Sequence, residues 1–198
     1  MRVESSTLTE VLSALDRQIG HCDGARIGLV VCGGAALLAL GLVSRTTRDV
    51  DVLATATGTR SGVTVQRIGA FPDWLRRAAA RVARDFGLPE NWLNSEPAAQ
   101  LELGLPGGLE SRLTRKVYGR FLTIYFIGRL DQIHFKLYAA VDRDDYHTQD
   151  LWALSPTSAE LIQAAHWVLT QDVSAVFKLT LLDFLKKHGH ETVAQAIR

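Results

Sequence analysis

Two cysteines, Cys22 and Cys32, are all that the 198 residues contain. They stand in no metal-ligand spacing, which excludes a Cys/His zinc cluster and leaves reduced, buried thiols as the expectation. Net charge is almost absent as well: 22 Lys and Arg against 21 Asp and Glu leave +1. Composition therefore carries no argument for a nucleic-acid partner, and any such affinity has to come from how charge is distributed. A long hydrophobic span is missing too. The run from Ile27 to Val43 is uncharged, but its 17 residues fall short of a membrane helix, which needs about 20, and a Gly-Gly pair interrupts it. It follows an amphipathic segment instead of a basic one, so a secretory leader is not expected. The reading is a soluble, cytoplasmic protein with no membrane partner. No Gly-x-x-x-x-Gly-Lys-Ser/Thr phosphate loop and no Gly-x-Ser-x-Gly nucleophile turn occurs. Internal repeats and low-complexity tracts are lacking.

What is present is the composition of an ordinary globular protein, 47% hydrophobic and of single-domain length. Thr7-x-x-Glu10 reads as a capping box ahead of Leu8, Val11, Leu12, Leu15 and Ile19 at helical spacing. Residues 26–32 read as a buried strand, 35–42 as a short helix and 49–53 as a second strand. Ala54 to Gly62 is Thr/Gly-rich and predicts a loop, with a third strand over 63–68. Residues 73–86 form the clearest helix: Leu75, Ala79, Val82 and Phe86 share one side, and Arg77, Arg81 and Arg84 the other. Glycines and prolines predict a long loop region from Gly87 to Glu110. Residues 112–117 and 121–127 suggest a hairpin about Tyr118-Gly119. From Asp131 the pattern is helical, over 131–141, 147–154, 158–170 and 174–187. The expectation is an α+β core over 1–130, a mixed sheet with flanking helices, and a C-terminal helical cap over 131–198.

The densest chemistry lies between Val31 and Leu53. Gly33-Gly34 precedes a short apolar helix, and Asp49 and Asp51 then flank Val50 on an apolar strand. Alternation points both carboxylates to one face, with Cα atoms roughly 6.5 Å apart. Paired carboxylates suit a hard divalent cation that keeps triphosphate oxygens among its ligands. A diglycine at a helix start offers bare N–H groups to an anion. Arg48 and Arg45 beside the acids suit phosphate.

Gly33-Gly34, a helix, then Arg45-Thr46-Thr47-Arg48-Asp49-Val50-Asp51 resembles the signature of the DNA-polymerase-β-like nucleotidyltransferase superfamily. Within it, the bacterial abortive-infection and toxin branch is the nearest likeness, and in that branch the mycobacterial MenT toxins. Two further blocks are similar to that branch: Leu88-Pro-Glu-Asn-Trp92-Leu-Asn94, and Lys136-Leu-Tyr-Ala-Ala-Val-Asp-Arg143 continuing through His147, Asp150 and Glu160-Leu161. The likeness spans about residues 27–170. The resemblance implies the nucleotidyltransferase fold and transfer of a nucleoside monophosphate, a pyrimidine in MenT toxins, from a nucleoside triphosphate to the 3′ acceptor end of tRNA. CTP or UTP is the donor it favours.

It also implies residue roles. Asp49 and Asp51 would be ligands to Mg²⁺, two ions in this chemistry, which stabilise the attacking and leaving oxygens of an in-line displacement. Gly33, Gly34 and Arg48 would bind nucleotide. Lys136 would meet the phosphates as a point charge, and Asp150 would be the third acidic residue of the catalytic set. A cognate antitoxin is the implied protein partner, and some antitoxins of the branch are kinases that phosphorylate a hydroxyl near Thr47. About two negative charges there would oppose triphosphate binding.

Plainer readings stand beside these. Lys136 also reads as a stem that reaches solvent, Asp150 and Asp131 as helix N-caps, and Thr47 as a β-favouring residue entering a strand. Arg143 and His147 could pair with Asp142, Asp144 or Asp145. His166 and Trp167 read as helix core, and His188 and His190 as helix-end cations. The arginine face of Arg77, Arg81 and Arg84 is a candidate acceptor-stem track, and Arg112, Arg115, Lys116 and Arg120 are another; both also read as solvated faces. An antibiotic nucleotidyltransferase, a protein-modifying one and a catalytically degenerate RNA-binding module remain the competing functions.

Overall fold

The apolar, β-branched segment Ile27–Cys32 becomes the central strand of a mixed sheet, because it can be buried on both faces. The computed structural model describes residues 5–44, 46–59, 62–143 and 146–198. The chain divides into two compact units, Met1–Gly128 and Arg129–Arg198.

In the first unit the order is α1 (Ser5–His21), β1 (Ile27–Cys32), α2 (Gly33–Ala39), β2 (Val50–Thr59), β3 (Gly62–Gln66), α3 (Asp73–Phe86), β4 (Leu93–Asn94), α4 (Gln100–Leu103), β5 (Thr114–Val117) and β6 (Leu122–Phe126). The sheet runs β3-β2-β1-β6-β5, with β4 added beside β2. Antiparallel pairs join β1 to β2, β2 to β3 and β5 to β6; β1 with β6, and β2 with β4, are parallel. This is an α+β architecture.

Alternation decides which side of the sheet each residue takes. Leu29 and Val31 on β1, Val50 and Val52 on β2, and Leu122, Ile124 and Phe126 on β6 join one cluster with Leu8, Leu12 and Leu15 of α1 and Leu75 and Val82 of α3. The opposite face therefore carries Gly28, Val30 and Cys32 of β1 and Thr123 and Tyr125 of β6. On β2 a bulge falls at Leu53, because Val30 pairs with Ala54 and Val31 with Val52. The bulge keeps Asp51, opposite Cys32, on the face away from α1 and α3.

Helix α3 has the predicted bounds, with Gly87 closing it in the left-handed region at φ 61°. Its buried stripe is Leu75, Ala78, Ala79, Val82 and Ala83. Elsewhere the chain departs from expectation. Thr7 lies within α1, which already includes Ser5, so it is not the cap of that helix. The stretch predicted as a loop from Ala54 is strand as far as Thr59, paired residue by residue with β3. The predicted loop from Gly87 to Glu110 contains β4, α4 and two 3-10 turns, at Glu96–Ala99 and Leu109–Arg112.

The second unit is helical: α5 (Arg129–Asp142), α6 (Tyr146–Ala153), α7 (Ser158–Gln171), α8 (Ala175–Lys187) and α9 (Glu191–Ala196), the last not foreseen. Helix α7 starts at a complete capping box. Thr157 accepts from the Glu160 N–H at 3.2 Å, and Glu160 Oε2 accepts from the Thr157 N–H at 2.8 Å. Arg129 donates to Glu160 at 2.6 Å and to the Leu154 and Ser155 carbonyls, each at 2.8 Å, tying the start of α5 to the turn before α7. Asp131 lies in the first turn of α5 and is fully buried, so it is not the N-cap expected of it. Among the described residues no helix is long and apolar enough to cross a membrane.

Candidate active site

Strand β1 turns directly into α2 at Gly33, whose φ of +64° is accessible to glycine at little cost. The glycine is required on a second count. A Cβ built there would stand 2.5 Å from Asp51 Oδ2. The bare Cα of Gly33 thus makes the space in which one oxygen of Asp51 lies. Gly34 follows as a buried residue of α2.

The other oxygen of Asp51 is held from β4. Asn94 pairs in register with Asp51, and its Nδ2 donates to Oδ1 at 3.0 Å. Asn94 Oδ1 in turn accepts the Glu96 N–H at 3.1 Å, which fixes which end of the amide faces the carboxylate. The strand is anchored by Trp92, 1% exposed, whose indole donates to the Ala79 carbonyl of α3 at 3.0 Å. Sequence reasoning placed Asn94 in a motif but assigned it no role. A polar residue straight after Trp92-Leu93 was the signal.

Asp49 sits one residue ahead of β2. Thr47 is buried, and its hydroxyl lies 3.1 Å from Asp49 Oδ1 and 3.2 Å from the Asp49 carbonyl. Thr47 is therefore a positioning partner of the first acid as well as a modification candidate. Arg48 is exposed. Arg45 lies outside the described residues.

In the second unit the helices bring Lys136 and Asp150 together. Their side chains are 5% and 3% exposed, and Nζ lies 2.7 Å from Oδ2. His147 Nδ1 stands 3.3 Å from the same ammonium, and the Tyr146 ring lies beneath it at 5.7 Å. Both plainer readings fall. Lys136 does not reach solvent, and Asp150 is inside α6 with its carboxylate turned to a lysine, so it is not the N-cap of that helix. Arg143 pairs at the surface with Asp142; Asp144 and Asp145 lie outside the described residues. His166 is exposed, contrary to the core reading, whereas Trp167 packs against His134, Phe135 and Tyr138. After α8, His190 stacks on Trp152 and His188 meets the same ring at a tilt.

The two basic tracks fare differently. On α3, Arg77 donates to the Cys22 carbonyl and Arg81 to Gln18 Oε1, each at 3.4 Å, so both lean on the α1 side; Arg84 is exposed. On the β5–β6 hairpin the cations separate. Arg115 pairs with Tyr125, on the face of Asp51, while Lys116 pairs with Ile124 and donates to Thr9 of α1 at 3.4 Å. Arg112 donates to the Gly107 carbonyl.

Among the described residues no group of three or more His, Cys, Asp or Glu side chains gathers to hold a metal ion. Asp49 and Asp51 offer two hard-oxygen ligands, and the Gly33 space leaves Asp51 Oδ2 unblocked by any side chain at that position. Such a donor set fits Mg²⁺, which is commonly held by one or two carboxylates and completed by water and substrate phosphates. Family models, curated proteins and solved structures were compared with the chain, and none matches.

Proposed function

We propose that the protein is a metal-dependent nucleotidyltransferase of the polymerase-β-like fold that adds a nucleoside monophosphate, from CTP or UTP, to the 3′ acceptor end of tRNA. One observation carries the reading: the Asp51 carboxylate lies against the side-chain-free backbone of Gly33 at a strand-to-helix turn, with Asp49 two residues earlier. A turn kept bare of side chains beside an acid suits a site where triphosphate and cation meet.

Asp49 and Asp51 would hold Mg²⁺, two ions in this chemistry. When bound, the metal supplies charge neutralisation to the triphosphate and to the leaving pyrophosphate. The chain's own residues position the reactants. Asn94 fixes Asp51, and Thr47 meets Asp49. The backbone of Gly33 and Gly34 and the exposed Arg48 receive phosphate. Asp150 holds Lys136 in its own unit; as the resemblance implies, Lys136 would meet the phosphates and Asp150 would be the third acidic residue of the catalytic set. In the reaction the acceptor hydroxyl oxygen bonds to the α-phosphorus, the bond from that phosphorus to the oxygen bridging to the β-phosphate breaks, the hydroxyl proton passes to water and pyrophosphate leaves. Such a transfer depends on placement and electrostatics more than on covalent chemistry.

A cognate antitoxin would restrain the enzyme, in one form by phosphorylating Thr47. The Thr47 hydroxyl is buried, so the segment before β2 must open for a kinase to reach it. Mass spectrometry after incubation with ATP and the antitoxin tests this: an unmodified Thr47 removes the idea.

The activity is tested by incubating the protein and total tRNA with each α-³²P nucleoside triphosphate in turn. Label on RNA from CTP or UTP, abolished by Asp49→Asn or Asp51→Asn, is the expected result. Label on protein would select a protein-modifying enzyme, and no label from any nucleotide would overturn the reading.

A further inference from the structure

A groove of about 600 Å³ lies on the same face of the sheet as Asp51, five residues along β2 from it, or about 15 Å. Its walls are two hairpins, β2–β3 on one side and β5–β6 on the other, and the start of β1 lies between them. Its floor is kept low by small residues. A Cβ on Gly28 would stand 2.1 Å from the Ala56 carbonyl oxygen, and one on Gly58 would stand 3.0 Å from the Tyr125 hydroxyl.

Three exposed arginines line it, Arg26, Arg115 and Arg120, and among the described residues no acidic side chain does. Among the described residues none of the three has an ion pair, unlike Arg67, Arg76, Arg129 and Arg143, which each have one. Their placement is built in. Asp16 of α1 accepts the Phe121 and Leu122 N–H groups, both at 2.7 Å, which pins the turn that carries Arg120. The Arg120 guanidinium then lies over the Phe121 ring at 5.5 Å. Three guanidinium groups that form no ion pair among the described residues, at one cleft, present a positive site in a protein whose net charge is only +1.

We infer that this groove binds the phosphodiester backbone of a single-stranded RNA segment. Guanidinium forks match phosphate oxygens, and Thr123, paired with Gly28 on this face, adds a hydroxyl. The groove is open to solvent and not an enclosed cavity, as suits a strand laid into it more than a small molecule that must be surrounded. The choice of RNA as the polyanion rests on the function proposed above; the site itself does not depend on catalysis.

The test is binding of a short fluorescein-labelled single-stranded RNA, without nucleotide or metal, over a series of salt concentrations. Arg26→Ala, Arg115→Ala and Arg120→Ala combined should weaken binding by about tenfold or more and lower the slope of log affinity against log salt by about 2, at about 0.7 per lost phosphate contact. A charge-matched control, Arg17→Ala with Lys178→Ala and Lys186→Ala, should keep the parent slope. Thermal melting checks that both variants fold. A groove variant that binds RNA like the parent, or a parent that binds no RNA, overturns the inference. So does a parent that prefers poly-glutamate, which would assign the groove to an acidic protein, or a variant that loses only free UTP. If the groove variant loses RNA while the parent transfers no nucleotide, the proposed activity falls and the groove stands. If the parent labels tRNA and the variant binds and labels equally well, the groove falls alone.

Discussion

The backbone of Gly33 and the carboxylate of Asp51 occupy one another's space: a methyl group at residue 33 would stand 2.5 Å from Asp51 Oδ2. The two residues are joined through the sheet, since Cys32, immediately before the glycine, pairs with Asp51. Gly33→Ala therefore has two separable effects. A side chain at φ +64° costs about 1–2 kcal/mol, read as a lower denaturant midpoint. The new methyl also displaces the carboxylate from Asn94, and a shift of about 1 Å in a reacting constellation lowers turnover by about 100-fold. Nucleotide transfer should thus suffer more than stability. Unchanged turnover with lowered stability would leave Gly33 a purely structural turn.

Asn94 offers a cleaner perturbation, because it reaches Asp51 through one hydrogen bond of 3.0 Å from the side of β4. Asn94→Ala should lower metal affinity or activity by about 10–100-fold, the range for losing a partner that orients a metal-binding carboxylate. Titrating transfer rate against Mg²⁺ reads this as a higher half-saturating concentration. A variant with the parent's Mg²⁺ dependence would show that Asp51 needs no support from β4.

Local pattern and long-range pairing account for what the sequence made legible and what it hid. Helix α3 is readable because its apolar and arginine positions separate cleanly at helical period. The extension of β2 to Thr59 is not, because Thr-Ala-Thr-Gly-Thr carries turn-like residues whose strand state depends on pairing with Val63 and Val65. The signature Thr-x-x-Glu occurs twice. At Thr157 it caps α7, whereas at Thr7 the helix has already begun, so the motif alone does not choose. Asp49 and Asp51 stand out by local spacing. Asn94, 43 residues further on, becomes a partner only through strand pairing. The four hairpin cations look equivalent in sequence until alternation sends Arg115 to one face and Lys116 to the other.

Acid should reveal the Arg129–Glu160 clamp. The Arg129 guanidinium, donating to Glu160, pulls its carboxyl down to about 2 from an ordinary value of 4.5, with the Thr157 bonds adding to this. A carboxyl whose folded value is depressed contributes stability that is fully present above its unfolded value and is lost as pH falls toward the folded one. The window is thus from about 4.5 down to about 2. Glu160→Gln should cost about 1 kcal/mol at neutral pH, a figure held low by solvent screening of this partly exposed pair. Its stability should converge on the parent's across that window. A constant difference down to pH 2 would assign the loss to helix capping instead of charge.

Lys136 and Asp150 are the pair in which stability and function can be separated. With side chains 5% and 3% exposed and 2.7 Å between the charges, each compensates the other's lost hydration. Removing one partner leaves a buried charge, so Lys136→Met or Asp150→Leu alone should destabilise by about 3–5 kcal/mol. Replacing both with apolar residues removes the uncompensated charge, and such double replacements are often neutral or stabilising. The double variant should therefore recover most of the stability lost by either single one, measured by urea unfolding. Recovery of the fold without recovery of nucleotide transfer is the expected outcome, because the apolar pair brings no charge to a triphosphate. Transfer at the parent's rate by the folded double variant would make the pair structural and remove Lys136 from the chemistry.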